Sequence, residues 1–132
     1  MSETAIRTTV VGSYPVPTWL ATQPSTPNLR DAILTVLKTQ ELAGIDVVAD
    51  GELSRFNISH PETNGMIDYF IGPMSGIDTT LTREELETFR AQDSTSFRAQ
   101  PAGVVRDKIG EGLLNLSADW ESVKDLGARP MK

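Results

Sequence analysis

The sequence of 132 residues contains no cysteine and a single histidine. The first absence excludes disulfides, thiolate metal ligands and a cysteine nucleophile from this chain. The second leaves one imidazole, which cannot build a metal site unaided. Basic residues are also scarce: 12 Lys and Arg stand against 18 acids, for a formal charge of -6, and they form no cluster. Nucleic acids and anionic membrane surfaces require clustered Lys and Arg, so neither is an expected partner. No apolar run approaches the ~20 residues of a membrane span. The opening "MSETAIRTTV" lacks the basic-then-apolar pattern of a signal peptide, so a cytoplasmic location is expected. With 39% hydrophobic residues, the chain has material for a modest core. Its length predicts one domain or part of one, here taken as 1–132.

What is present is a pair of short apolar runs with polar ends: "TTVVGSYPVP", Thr8 to Pro17, and "GIDVVADGEL", Gly44 to Leu53. Ile6 to Val11 is rich in β-branched residues and is stopped by Gly12, so it predicts a strand. Pro15 and Pro17 forbid regular pairing, and Pro15 to Asn28 predicts a loop that Trp19 and Leu20 pin to the body. Asn28 is a candidate N-cap for an amphipathic helix. Ala32, Ile33, Val36, Leu37, Gln40 and Glu41 share its spacing, and Gly44 stops it. Ile45 to Ala49 predicts the next strand. The order strand, loop, helix, Gly, strand is a βαβ unit and argues for parallel pairing with a right-handed crossover.

Farther on, Pro61 and Asn64–Gly65 mark bends, and Met66 to Phe70 predicts a short element. Thr82 with Glu85 has the form of a capping box, so Thr82 to Ala91 predicts a helix. Asp93 to Pro101 shows no period. Ala102 to Ile109 predicts a third parallel strand. Leu113, Leu116, Trp120, Val123 and Leu126 place one stripe on a closing helix, with Gly127 as its stop. Three parallel strands leave an open sheet edge and uncovered faces, which a partner chain or self-association would remedy.

In parallel β/α folds, ligands bind at the C-terminal ends of the strands. Gly12-Ser13-Tyr14 and Asp50-Gly51-Glu52 therefore fall side by side on the face that matters. Backbone N–H groups around Gly12 and the Ser13 hydroxyl suit a carboxylate. Glu52 suits an ammonium group. Together they could clamp an amino acid by both charged ends, although plain turns account for the same residues equally well. Arg55 is a candidate substrate clamp, with a solvated ion pair as the plainer role. His60 is a candidate ligand, a surface or capping position being the commoner one. Asn64 is a candidate polar contact within a turn. Asp50 is a candidate acid–base group, a turn former being the plainer role. Trp19 and Trp120 are read as core rather than stacking platforms, and Arg83, Glu84, Glu85 and Glu87 as a solvated helix face.

The segments "TTVVGSYPVPTWL", "DAILTVLKTQELAGIDVVADGELSR" and "NGMIDYF" resemble, in order and spacing, the catalytic domain of cobalamin-independent methionine synthase and its relatives. The likeness runs over Thr8 to Phe70, with a looser match from "FRAQPAGVVRDKIG" to "DWESVKDL". It implies a (β/α)8 TIM barrel in which zinc activates a thiol as alkyl acceptor. By the resemblance, Gly12 and Ser13 would bind the carboxylate of a homocysteine-like substrate and Glu52 its amino group. The family holds zinc through His, Cys and Glu residues late in the barrel, and His60 matches none of those positions. The resemblance thus implies a partial barrel, about the first three βα units, completed by a larger subunit carrying the zinc. The expectation is the small subunit of a split methyltransferase, inactive without its partner, with a folate methyl donor as the family's best-known case. The polar run "SRFNISHPETNG" is a candidate for reshaping the pocket toward another donor or acceptor. The competing expectation is a non-catalytic binding or stabilising module derived from the same barrel.

Overall fold

In the computed structural model, residues 6–63, 65–92 and 100–132 are described. Asn64 and most of the aperiodic stretch from Asp93 to Pro101 therefore lie outside the described residues. The described chain divides into two units, one within Met1–Gly65 and Asn115–Lys132, the other over Met66–Leu114.

The first unit is organised by α2, Thr26–Leu42. The helix begins earlier than the sequence reading places it. Ser25 is the N-cap and accepts from the Asn28 amide at 3.2 Å, and Pro27 sits in the first turn, where its missing N–H is harmless. Its C-cap is Ala43, with Gly44 next, as expected. The predicted stripe is the buried one: Ala32, Ile33, Val36 and Leu37 face inward, and Gln40 is buried with them. Burying each of the larger side chains contributes roughly 1.5–3 kcal/mol. The stripe packs with Leu20, Val48, Leu53 and Val123, and Leu29, Ile45, Phe56, Leu126 and Met131 pack partly against this core.

The predicted loop at Pro15 to Asn28 is corrected by a short helix, α1, Thr18–Thr22, which seats Leu20 in the core. Pro17 precedes it without needing an N–H. Trp19, read as core, is 46% exposed, as Trp120 is at 43%. Successive residues on a five-residue helix point to different sides, so Leu20 can be sealed while Trp19 is not.

Parallel pairing is present, in abbreviated form. Thr9 bridges Val47, and Val48 bridges Met131, both parallel. The Val47 amide donates to the Thr8 carbonyl at 3.0 Å. On the other side, the Val48 amide donates to the Pro130 carbonyl at 2.9 Å, and the Lys132 amide donates to the Val48 carbonyl at 3.1 Å. Neither predicted strand extends further. The Thr8 amide and hydroxyl both donate to Asp46 Oδ2, at 2.8 and 2.9 Å, and the Thr9 hydroxyl donates to the Val47 carbonyl at 2.8 Å. Side chains thus occupy groups a ladder would use. The Asp46 carboxyl is held below its ordinary range, first by the Thr8 amide and then by its hydroxyl.

The third parallel position is a correction. It falls at Met131, not in Ala102 to Ile109. Within that stretch only Val104–Val105 is a strand, β2, and it pairs antiparallel with β1, Ile77–Asp78, in the register Ile77↔Val105 and Asp78↔Val104. The closing helix, α5, spans Leu116–Val123. It starts later than the apolar stripe suggests because Asn115 Oδ1 accepts from the Ala118 amide at 3.0 Å and caps it. Leu113 and Leu116 are exposed, while Val123 is buried.

The second unit contains α3, Asp68–Ile71, then β1, α4 and β2. Helix α4 is Arg83–Arg90, opened by the expected capping box between Thr82 and Glu85. Among the described residues this unit has no fully buried apolar side chain. Beside the β1–β2 ladder it has an electrostatic contact: Arg106, just after β2, meets Glu85 at 2.5 and 3.0 Å. Glu85 is therefore more than a solvated residue, unlike its neighbours Arg83 and Glu87, which pair at 2.7 Å on an exposed face. No described helix is long and apolar enough to cross a membrane.

Arg106, followed by the Thr82 amide and hydroxyl, pulls the Glu85 carboxyl from 4.5 down to about 2. A lowered pKa means the folded unit favours the charged form, so the stabilisation is present above the unfolded value and is lost as pH falls through the folded one. Amide protection in α4 is expected to fall between about pH 5 and about pH 2, and Glu85→Gln to flatten that profile. A wild-type profile already flat over this range would contradict the assignment.

Candidate functional site

The ends of the first two parallel segments meet as expected. The Tyr14 amide donates to the Gly51 carbonyl at 2.8 Å. Gly12, at φ 103°, turns the chain after the first segment in a conformation that L side chains rarely adopt, and a Cβ there would meet only open space. Gly51, at φ 70°, is required on two grounds: a Cβ would also lie 2.6 Å from Tyr14 Cβ.

Across this seam the Ser13 hydroxyl donates to Glu52 Oε2. Arg55 Nη1 lies 3.0 Å from the same oxygen, and both side chains of that pair are about three-quarters buried. Ser13, Glu52 and Arg55 therefore form one cluster, beside the Gly12 turn. Arg55 projects from a short 3-10 helix, Leu53–Arg55, anchored by the buried Leu53.

Glu52 has a left-handed backbone, φ 61° and ψ 16°, unique among the described non-glycine residues. Such a conformation costs a non-glycine residue roughly 1–2 kcal/mol. Asp50 supports it as the expected turn former. Its Oδ1 accepts from the Glu52 amide at 2.9 Å and its Oδ2 from the Ser54 amide at 3.1 Å. Strain of this kind, held by specific bonds, is a feature of functional positions.

His60 is placed differently. It sits in a turn in which the Asn57 side chain accepts from the Ser59 and His60 amides, at 3.0 and 3.1 Å. Its Nδ1 is 3.1 Å from Glu62, and both side chains are nearly two-thirds exposed. That matches the commoner, surface role. Asn64 lies outside the described residues, but Gly65 returns against Arg55, where a Cβ would be 3.3 Å from Arg55 Cβ. The polar run therefore leaves and re-enters the fold at the edge of the cluster.

Two residues carry more of the local structure than helical spacing suggests. Gln40 donates through Nε2 to the Ala49 carbonyl at 2.7 Å and accepts the Ala49 amide at 2.9 Å. Glu41 accepts the Ala128 and Arg129 amides, at 2.5 and 3.3 Å. Its carboxyl is held below the ordinary range, first by Lys38 at 2.7 Å and then by the Ala128 amide. The signal in the sequence is a polar pair at the end of an apolar stripe.

Comparison with known proteins agrees with the resemblance. The chain is 37% identical over 81 residues to a methionine synthase of Sulfurisphaera tokodaii, covering 52% of this chain and 22% of the relative. It is 35% identical over 85 residues to that of Sulfolobus acidocaldarius, covering 55% and 23%. For Pyrococcus furiosus the figures are 35% over 80 residues, covering 51% and 24%. Over about half its length the chain is thus methionine synthase-like, and the match spans less than a quarter of each of these relatives. No protein-family model matches the chain. No solved structure matches it.

The backbone at Glu52 generates a prediction that needs no ligand. Glu52→Gly and Glu52→Ala both remove the carboxylate, but only glycine accepts the left-handed turn freely. The glycine variant is expected to be the more stable by about 1 kcal/mol in denaturant unfolding. An alanine variant of equal or greater stability would show that the turn is unstrained.

Proposed function

We propose that this chain supplies the acceptor-orienting part of a methionine synthase-like methyltransferase acting on a thiol such as homocysteine. The observation that carries the reading is the convergence of Ser13, Arg55 and the strained Glu52 at the ends of two parallel segments. The names of the relatives support the reaction class.

Glu52 and Arg55 together are charge-neutral. A zwitterionic amino acid can exchange partners with them without leaving a charge unpaired. Its ammonium goes to the Glu52 carboxylate. Its carboxylate goes to Arg55, the Ser13 hydroxyl and the amides around Gly12. The thiol then points away from this wall, and the chain's share of catalysis is orientation, worth several kcal/mol in a well-aligned site.

The residues of this chain do not fit zinc. Cysteine is absent, and among the described residues no group of three or more His, Cys, Asp or Glu gathers to hold a metal. Zinc and the methyl-donor subsite, with folate as one candidate donor, are therefore proposed to lie outside these 132 residues, on a larger barrel-completing subunit. The parallel order Thr9, Val47–Val48, Met131 supports a partial (β/α)8 barrel.

Titration of L-homocysteine into the protein tests the clamp. Removing one charge-assisted hydrogen bond is worth roughly tenfold to a hundredfold in affinity. Glu52→Gln and Ser13→Ala are each expected to weaken binding by about that much. Unchanged affinity in both variants would refute the assignment and favour the non-catalytic module.

A further inference from the structure

Gln40 is the one buried polar side chain among the described residues, 7% exposed at the end of a stripe of Ala32, Ile33, Val36 and Leu37. A buried amide must be hydrogen-bonded, and this one is bonded at both ends. Its oxygen and nitrogen pair with the two main-chain groups of Ala49. The carboxamide stands where a neighbouring strand residue would stand, at the point where the parallel pairing stops. Its own carbonyl also accepts the Ile45 amide at 3.1 Å, so Gln40 holds both ends of the segment from Ile45 to Ala49.

Beyond Ala49 the chain is fixed group by group. Asp50 takes the amides of Glu52 and Ser54 on its two oxygens. The Gly51 carbonyl takes the Tyr14 amide and brings in the Gly12–Ser13 turn. Glu52 sits at the end of this series in the left-handed conformation. Nothing in a helix-to-strand packing requires a polar group at position 40. A methionine would fill the same volume and suit the stripe better.

We propose that Gln40 is a positioning residue: its carboxamide, bonded to both main-chain groups of Ala49, fixes the turn that presents Glu52 to a ligand. The functional consequence rests on the acceptor reading above, but the placement stands on its own geometry.

Amide and carboxamide hydrogen exchange by NMR on the whole chain tests the placement. In the wild type, the Gln40 carboxamide protons are expected to exchange at least tenfold more slowly than those of the exposed Gln23. Equal rates would overturn the proposal. In Gln40→Met, the Glu52 and Ser54 amides are expected to exchange at least tenfold faster, although neither is bonded to residue 40, while the amides of Val36 and Leu37 stay within twofold. Wild-type rates at Glu52 and Ser54 with α2 intact would overturn it too. A purely packing role would instead move α2 and the turn together. Should the variant not fold, the wild-type carboxamide rates decide. L-homocysteine is expected to slow Glu52 exchange in the wild type. Failure of that effect alone counts against the acceptor reading and leaves the role of Gln40 standing.

Discussion

The hydrogen bond from the Ser13 hydroxyl to the Glu52 carboxylate joins two segments 39 positions apart and, beside the main-chain bond from Tyr14 to Gly51, assembles the candidate site. Glu52 reaches it from a backbone conformation that glycine would adopt more easily. The conformation persists because its surroundings over-determine it. Asp50 pins the turn from below, the Tyr14 amide pins it from the side, and Arg55 pairs with the carboxylate itself. A turn with no task beyond reversing the chain could place glycine at 52, as it does at 51, and avoid both the strain and the partly buried charge. The retained carboxylate is therefore the physical reason to read this region as a site.

The two units are held by different forces. In the first, α2 lays one stripe against Leu20, Val48, Leu53 and Val123, and burial of apolar surface does most of the stabilising. In the second, a two-residue antiparallel ladder and the Arg106–Glu85 pair carry the local order. Acid acts on the second unit through Glu85, and on the first through Asp46 and Glu41, whose carboxyls are likewise held below the ordinary range. The placement of the proposed clamp wholly within the first unit puts it on the part with an apolar core.

Legibility in the sequence follows the strength of local physics. Helix α2 is readable because a periodic stripe of Ala32, Ile33, Val36 and Leu37 is hard to satisfy any other way. The box at Thr82 and Glu85 is readable because its bonds are local. The meeting of Gly12–Ser13 with Asp50–Glu52 comes from the βαβ order alone. Other features are set by competitors that spacing does not reveal. Side chains of Thr8, Thr9 and Asp46 replace ladder bonds and shorten both predicted strands to bridges. Val104 and Val105 have the composition of a strand, but composition does not fix direction, and the partner is Ile77–Asp78. Met131 lies in a short apolar-poor stretch, and its parallel contact comes just after Glu41 accepts the Ala128 and Arg129 amides, a long-range bond that spacing does not reveal. Residue type alone assigns Trp19 and Trp120 to the core, whereas their exposure depends on where short helices end.

The central claim is that one wall of an amino-acid site distinguishes a zwitterion from a simple acid. The most direct measurement is an NMR footprint of two thiols on the same labelled protein: L-homocysteine and 4-mercaptobutanoate, which lacks the amino group. The account predicts shifts at Gly12, Ser13 and Arg55 with both ligands, since both carry the carboxylate, and a shift at Glu52 that is large only with homocysteine. Identical footprints, or shifts that avoid Ser13 and Glu52 altogether, would contradict it.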